Sequence, residues 1–248
     1  MQLIMNRFRS LILALAALCG GPVCASAQEI PTFLGMDDMP DLVACLPAPP
    51  DTTGIDFAYD ISRYFWGKAQ REDPERAAMA IRDAIWSIDT VITIFSEPFG
   101  YPLTKEETPE IYSLLLESIA TIEQIRVRPK AHYMRLRPFV RFHEHTLTEW
   151  EEEELSGEGS YPSGHTIRGW SAALLLTEIN PAAAERLFAR AWLYGESRVI
   201  VGAHWQSDID ASRLAADIGC ARLRNSPAFL ARMARAQAEF RRVCCPAP

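Results

Sequence analysis

The stretch Thr108–Glu123, "TPEIYSLLLESIATIE", settles the fold class. A threonine stands immediately before a proline, and apolar residues then recur three and four apart at Ile111, Leu114, Leu115, Ile119 and Ile122. Proline suits the first helical position because its missing N–H has no intrahelical partner there. Apolar recurrence at three and four places one face of a helix against a core. Working outward, the same cap-plus-proline signal opens three more segments, at Asp73-Pro74, Asn180-Pro181 and Ser226-Pro227. Ala77, Ile81, Ile85, Ile88 and Ile92 repeat the helical spacing in the segment upstream. Strand alternation between turn signals is almost missing. The one β-rich run, "SRVIVGAHW" at 197–205, is short and follows a helical stretch. The chain therefore reads as an all-α, compact multi-helix bundle of roughly seven to nine helices.

The chain has 248 residues and a formal net charge of −7. It opens with Arg7 and Arg9 ahead of an apolar run from Leu11 to Cys19, followed by Ala25-Ser26-Ala27. That order predicts a signal peptide over 1–27, cleaved after Ala27, since the run is too short to span a bilayer. An irregular arm rich in proline is expected over 28–54 and a helical domain over 55–248. Removal of the leader makes the chain still more acidic, which argues against a nucleic-acid polymer as partner. No stable membrane insertion is expected after the leader is lost, and the mature protein should be periplasmic or secreted. Of six cysteines, Cys45, Cys220, Cys244 and Cys245 lie beyond the leader. In an oxidising compartment at least one bridge should tie the tail to Cys45 or Cys220, with the pairing left open.

Three segments carry chemistry. In "KAHYMRLRP" (130–138), Lys130 and Arg137 are seven apart, which on a helix puts both cations on one stripe, with Pro138 ending the helix. In "EGSYPSGHT" (158–166), a Gly- and Pro-bearing turn enters an apolar helix, so Ser163, Gly164 and free backbone N–H groups offer an anion site, with His165 beside it. A serine nucleophile fits poorly, because Gly-x-Ser-x-Gly is missing and no strand leads into the turn. In "SRVIVGAHWQSD" (197–208), His204 and Asp208 are four apart, the spacing of neighbours on one helix face, and Arg198 stands just upstream. A carboxylate on one ring nitrogen would leave the other as a base or nucleophile. The acidic run "EWEEEEL" (149–155) reads as a solvated loop or short exposed helix, and His143 and His145 as polar loop residues rather than metal ligands.

Together these segments read Lys-x6-Arg-Pro, Pro-Ser-Gly-His and Ser-Arg-x5-His-x3-Asp. The pattern resembles the type 2 phosphatidic acid phosphatase superfamily, which includes the vanadium haloperoxidases. "GSYPSGHT" in an exported chain resembles in particular the class A bacterial non-specific acid phosphatases. The resemblance implies an acid phosphatase acting on small-molecule phosphate monoesters through a phosphohistidine intermediate, with no metal or cofactor. It makes His204 the nucleophile, Asp208 its orienting partner and His165 the proton donor to the leaving group. Lys130, Arg137, Ser163, Gly164 and Arg198 would bind the phosphate. Ala203 departs from the family, in which a larger residue precedes the motif histidine, and is expected to alter the pocket wall. The alternatives are a vanadium-dependent haloperoxidase and a soluble lipid-phosphate phosphatase. A phosphate-binding module without turnover is a further option, and homo-oligomerisation is left open.

Overall fold

Each proline-led start expected from the sequence is helical, Pro181 opening a 3-10 turn that runs into a helix at Ala184, but the caps differ in kind. Asp73 accepts from the backbone N–H of Glu75 and Arg76, and Ser226 Oγ accepts from that of Phe229. Thr108 and Asn180 instead spend their side chains on the carbonyls of Pro102 and Phe99, tying neighbouring loops to the helix starts. The computed structural model describes residues 30–243, so the leader at 1–27 and the tail cysteines Cys244 and Cys245 lie outside the described residues. The chain divides into Met1–Ile30, of which only Ile30 is described, and Pro31–Pro248.

Among the described residues there is no strand, and eleven helices of five or more residues follow one another. They are α1 (Asp56–Gln70), α2 (Pro74–Asp83), α3 (Ile88–Ile94), α4 (Pro109–Glu123), α5 (Val127–Tyr133) and α6 (Pro138–Phe142). After these come α7 (Glu152–Ser156), α8 (Gly164–Ile179), α9 (Ala184–Val201), α10 (Gln206–Leu223) and α11 (Pro227–Val243). The count exceeds the expected seven to nine because α5, α6 and α7 are too short to show periodicity. The β-rich "SRVIV" is the last turn of α9, where burial outweighs β-branched propensity.

α8 is the hub. It is buried nearly all round and packs on α4, α9 and α10, while α11 packs on α4 and also touches α8. The α4 face predicted from spacing is the core face: Ile111, Leu114, Leu115, Ile119 and Ile122 are fully buried. Each such side chain contributes roughly 1.5–3 kcal/mol relative to exposure. The periodicity drawn through 77–92 is wrong in one respect. It spans two helices with a break at 84–87, so Ile85 is exposed and the inward positions are Ala80, Asp83 and Ala84. Asp83 is the reason: its buried carboxylate accepts from Arg190 and from Ser197 Oγ, anchoring the end of α2 to α9.

Residues 31–54 are irregular apart from a short 3-10 turn and one helical turn at Leu42–Cys45, with Met39 and Leu42 in the main core. Cys45 is exposed, Cys220 is buried, and neither is bridged among the described residues. No helix among the described residues is long and apolar enough to cross a membrane.

The chain leaves α9 through Gly202, whose φ of 92° lies in the left-handed region. The carbonyl of Arg198 then accepts from the N–H groups of both Ala203 and His204, folding the third motif back on itself. A Cβ at Gly202 would sit 2.8 Å from Arg71 Nη2. Gly202→Ala is expected to cost about 1–2 kcal/mol, from the backbone conformation alone. A thermal melt reads this as a lowered Tm, and an unchanged Tm would count against the strain.

Candidate active site

Lys130, Arg137, Gly164, His165 and His204 line one pocket of about 180 Å³. Arg198, Ser163 and Asp208 are fully buried. Arg198 meets the lining through Glu151, Asp208 through His204, and Ser163 precedes Gly164, so the residues expected at the site adjoin this pocket, several by a different route from the one read off the spacing.

Lys130 and Arg137 do not share a helical stripe. α5 ends at Tyr133, Met134 adopts a left-handed conformation at φ 40°, and Arg137 is the extended residue before α6. Pro138 therefore starts a helix rather than ending one. The turn brings both cations onto one carbonyl, that of Gly159, which accepts from Lys130 Nζ at 2.6 Å and Arg137 Nη2 at 3.4 Å.

His204 and Asp208 do meet, but not across a helix face. His204 precedes α10, and Asp208 is the third residue of that helix. Its Oδ2 caps the Trp205 N–H at 2.9 Å and lies 3.3 Å from His204 Nδ1. The other ring nitrogen, Nε2, is 3.1 Å from Arg137 Nη1. A guanidinium can only donate, so Nε2 carries the lone pair and Nδ1 carries the proton given to Asp208. This fixes one tautomer, with an unprotonated Nε2 aimed at the cationic end of the pocket. Burial, then Arg137, Lys130 and Arg198, hold the His204 pKa well below the ordinary histidine value, so the ring stays neutral.

His165 lies at the start of α8. Its Nε2 is 3.0 Å from the Ala84 carbonyl, which can only accept, so that nitrogen is protonated and Nδ1 is the ring's remaining proton site. Burial followed by Arg198 and Arg168 lowers its pKa well below the ordinary value. The break between α2 and α3 now has a purpose, because it frees that carbonyl from helical bonding.

Ser163 caps α8 by accepting from Thr166 N–H at 3.4 Å. Its own backbone N–H is committed to Ser212 Oγ at 2.7 Å, which corrects the expectation that it faces an anion. The hydroxyl accepts at both of its contacts, so its proton remains to be donated. Ser197, though part of the third motif, is structural: it bonds Asp83 and Arg76 at the α2–α9 contact. Ala203 does not shape the pocket wall. Its side chain packs with Ala80, Ile200 and Val201, while its carbonyl accepts from Arg137.

The acidic run is a 3-10 turn leading into the short helix α7, with Glu149, Trp150, Glu153 and Glu154 exposed as expected, but its other two glutamates are committed to partners. Glu151 Oε1 accepts from Arg198 at 2.9 Å, and Glu152 ties down Thr146 and His145. Glu158 is shared by Arg126 at 2.7 Å, Lys130 at 3.0 Å and Arg137 at 3.3 Å. Burial pushes the Glu158 pKa up, but Lys130 and Arg126 more than offset it and hold the carboxyl below its usual value. Even so, Arg198 keeps Nε and Nη1 buried without a hydrogen-bond partner. Buried guanidinium donors left unmatched are costly, so a site built for an anion is the natural reading.

The spacing did not reveal Arg135 or Asp60. Arg135 donates to Asp208 Oδ1 at 2.5 Å and to Asp60 Oδ2 at 2.7 Å, and Ser207 N–H donates to Asp60 Oδ1 at 2.8 Å. This buried network holds the Asp208 carboxylate in place. Arg135 stood in the quoted basic segment, two residues before Arg137, but nothing local marks Asp60 in "AYDIS". Arg126 was also missed, although it lies four residues before Lys130.

A helical bundle with two histidines and three cations around one pocket defines a phosphoryl- or oxyanion-handling member of a known superfamily. The family model described as the PAP2 superfamily matches residues 111–223. The non-specific acid phosphatase of Providencia stuartii is 38% identical over 240 residues, covering 91% of this chain and 96% of that protein. The non-specific acid phosphatase of Salmonella typhimurium is 38% identical over 87% of this chain and 86% of its own length. The acid phosphatase of Zymomonas mobilis is 33% identical over 78% and 73%. The chain belongs to the PAP2 superfamily and, within it, to the family of these bacterial acid phosphatases.

Proposed function

We propose that this acid phosphatase hydrolyses small phosphate monoesters through a phosphohistidine on His204 Nε2, without a metal, after export from the cytoplasm. The observation that carries this reading is the His204 ring. Its Nδ1–H is held by Asp208, and its lone pair lies beside Arg137. Arg198, Arg137 and Lys130 would neutralise the phosphoryl oxygens, with the Ser163 hydroxyl and the free N–H groups of the α8 start adding donors. The P–O ester bond breaks as the His204–P bond forms, and His165 gives its proton to the departing alkoxide. Water, deprotonated by His165, then attacks phosphorus and releases phosphate and the free His204. To bind phosphate, the cations must loosen their contacts with Glu151 and Glu158. Export rests on the residue order at 1–27 alone. Rapid quenching of radiolabelled substrate under alkaline conditions tests the intermediate. Label on the peptide bearing His204 is expected, and label on a serine peptide would overturn the assignment.

The pH dependence follows from three shifts. Burial and Arg137 lower Lys130 to about 7, so its charge is present below that pH and lost above it. His165 is lowered too, so its donor form grows only as pH falls. His204 is also lowered, so acidification leaves its lone pair free to below the ordinary histidine range. The Lys130 and His165 shifts favour turnover on the acid side, and that of His204 permits it. A plot of log kcat/KM against pH is expected to fall as pH rises through about 7. A maximum above about 8 would contradict the assignment.

A further inference from the structure

Trp86 is an indole with no core to belong to. It sits in the break between α2 and α3, lines the pocket and is 44% exposed. Charged side chains rather than apolar packing fix its ring. The Arg168 guanidinium stacks 3.2 Å from the ring centroid and Arg126 lies at 5.1 Å. Arg168 is itself held by Glu123, and Arg126 by Glu158. Such cation–π contacts fix the plane of the ring while leaving part of it open.

Two neighbours give the position meaning. The Trp86 ring lies 4.7 Å from the His165 ring, inclined at 59°. A Cβ on Gly164 would come within 3.0 Å of Trp86 Cη2, so the bare glycine is what admits the indole to the start of α8. Trp86 thus touches both the residue that would protonate the ester oxygen and the backbone that would bind phosphate. The group attached to that oxygen has to lie near this indole. A second indole, Trp150, lines the same pocket from the acidic segment and is 65% exposed. Glu151 and Glu154 stand beside it on the lining and disfavour an anionic leaving group.

We infer that Trp86, with Trp150, forms a leaving-group subsite that selects monoesters of neutral aromatic alcohols. The inference rests on the site assignment above, with phosphate at the α8 start and His165 facing the ester oxygen. Offset or edge-on aromatic contacts contribute about 0.5–1.5 kcal/mol beyond buried area, which is roughly a 2- to 13-fold preference.

Competitive inhibition by benzylphosphonate and ethylphosphonate tests it, because neither is hydrolysed and the inhibition constants report binding without proton transfer. In the wild-type protein benzylphosphonate should bind about 10-fold more tightly. Trp86→Ala should bring that ratio near 1 while the inhibition constant of inorganic phosphate changes little, and Trp150→Ala should reduce it partly. A ratio unchanged in Trp86→Ala would overturn the subsite. If Trp86→Ala also loses inorganic phosphate, Trp86→Phe and Trp86→Leu decide instead. A ratio kept by Phe and lost by Leu supports the ring, and equal ratios reject it. Failure of inorganic phosphate to inhibit the wild-type protein would count against the phosphatase site itself, not the subsite.

Discussion

Replacement of His204 by alanine will lower kcat for p-nitrophenyl phosphate by at least about 10⁴-fold, the scale seen when a nucleophile is removed from a preorganised site. The expectation rests on the division of labour in the pocket. Lys130, Arg137 and Arg198 can bind a phosphoryl group without His204, but a guanidinium offers no lone pair to phosphorus and Lys130 offers none while it is charged. The variant should therefore still bind inorganic phosphate within a few-fold of the wild-type affinity. His204 is buried against Arg137, so the substitution relieves as well as removes contacts, and gross unfolding is not expected. His132→Ala is the control: His132 is exposed and packs only edge-on against Tyr133 among the aromatic rings. It should retain near wild-type kcat. Retention of more than about a tenth of the wild-type kcat by His204→Ala would remove it from the nucleophile's role.

The parts of this site legible in the sequence were those in which chemistry is tied to residue type. A Gly-Pro-Ser turn entering an apolar helix, two histidines and three separated cations can be named without coordinates. The connecting geometry was less legible. Spacing alone put Lys130 and Arg137 on one helix, but the left-handed Met134 breaks it, and no residue type there signals the turn. His204 and Asp208 met as expected, yet through a capping contact at the start of α10 rather than along a helix face. Asp60 could not have been found. Its link to Arg135 and Ser207 spans far-apart segments, and a lone aspartate in an amphipathic helix carries no local mark. The acidic run was legible as a short exposed segment, but its contacts were not, for a related reason. Glu149, Glu153 and Glu154 do face water, while Glu151, and Glu158 just beyond the run, turn to a cationic pocket and find Arg198, Lys130 and Arg137. The all-α class was legible because the α4 periodicity coincides with full burial of the same positions.

Asp208→Asn should be nearly as damaging as loss of the nucleophile, although it removes no reacting atom. The carboxylate of Asp208 is surrounded by donors: Arg135 on Oδ1, and both the Trp205 N–H and His204 Nδ1–H on Oδ2. An amide has one accepting oxygen and one donating nitrogen, so one of these sides must face a donor with a donor. If the oxygen turns to Arg135, the NH2 meets His204 Nδ1 and favours the ring with its proton on Nε2. That proton would then point at Arg137 Nη1, 3.1 Å away, and the lone pair needed for attack would be gone. If the oxygen turns to His204, the amide nitrogen opposes Arg135, which retains only Asp60 as a buried carboxylate partner. A wrong tautomer in an otherwise intact site costs about 10⁴-fold in kcat in a histidine-dependent hydrolase, and a fall of about 10³–10⁴ is expected here. An unsatisfied buried donor costs about 1–3 kcal/mol, so the variant should also melt at a lower temperature. Inorganic phosphate should still bind within a few-fold, because its ligands are untouched. That combination separates an orienting role from a purely structural one, in which kcat and phosphate binding would fall together. A kcat within about 10-fold of wild type would mean that Arg137 and the packing around His204 suffice to set the ring without Asp208.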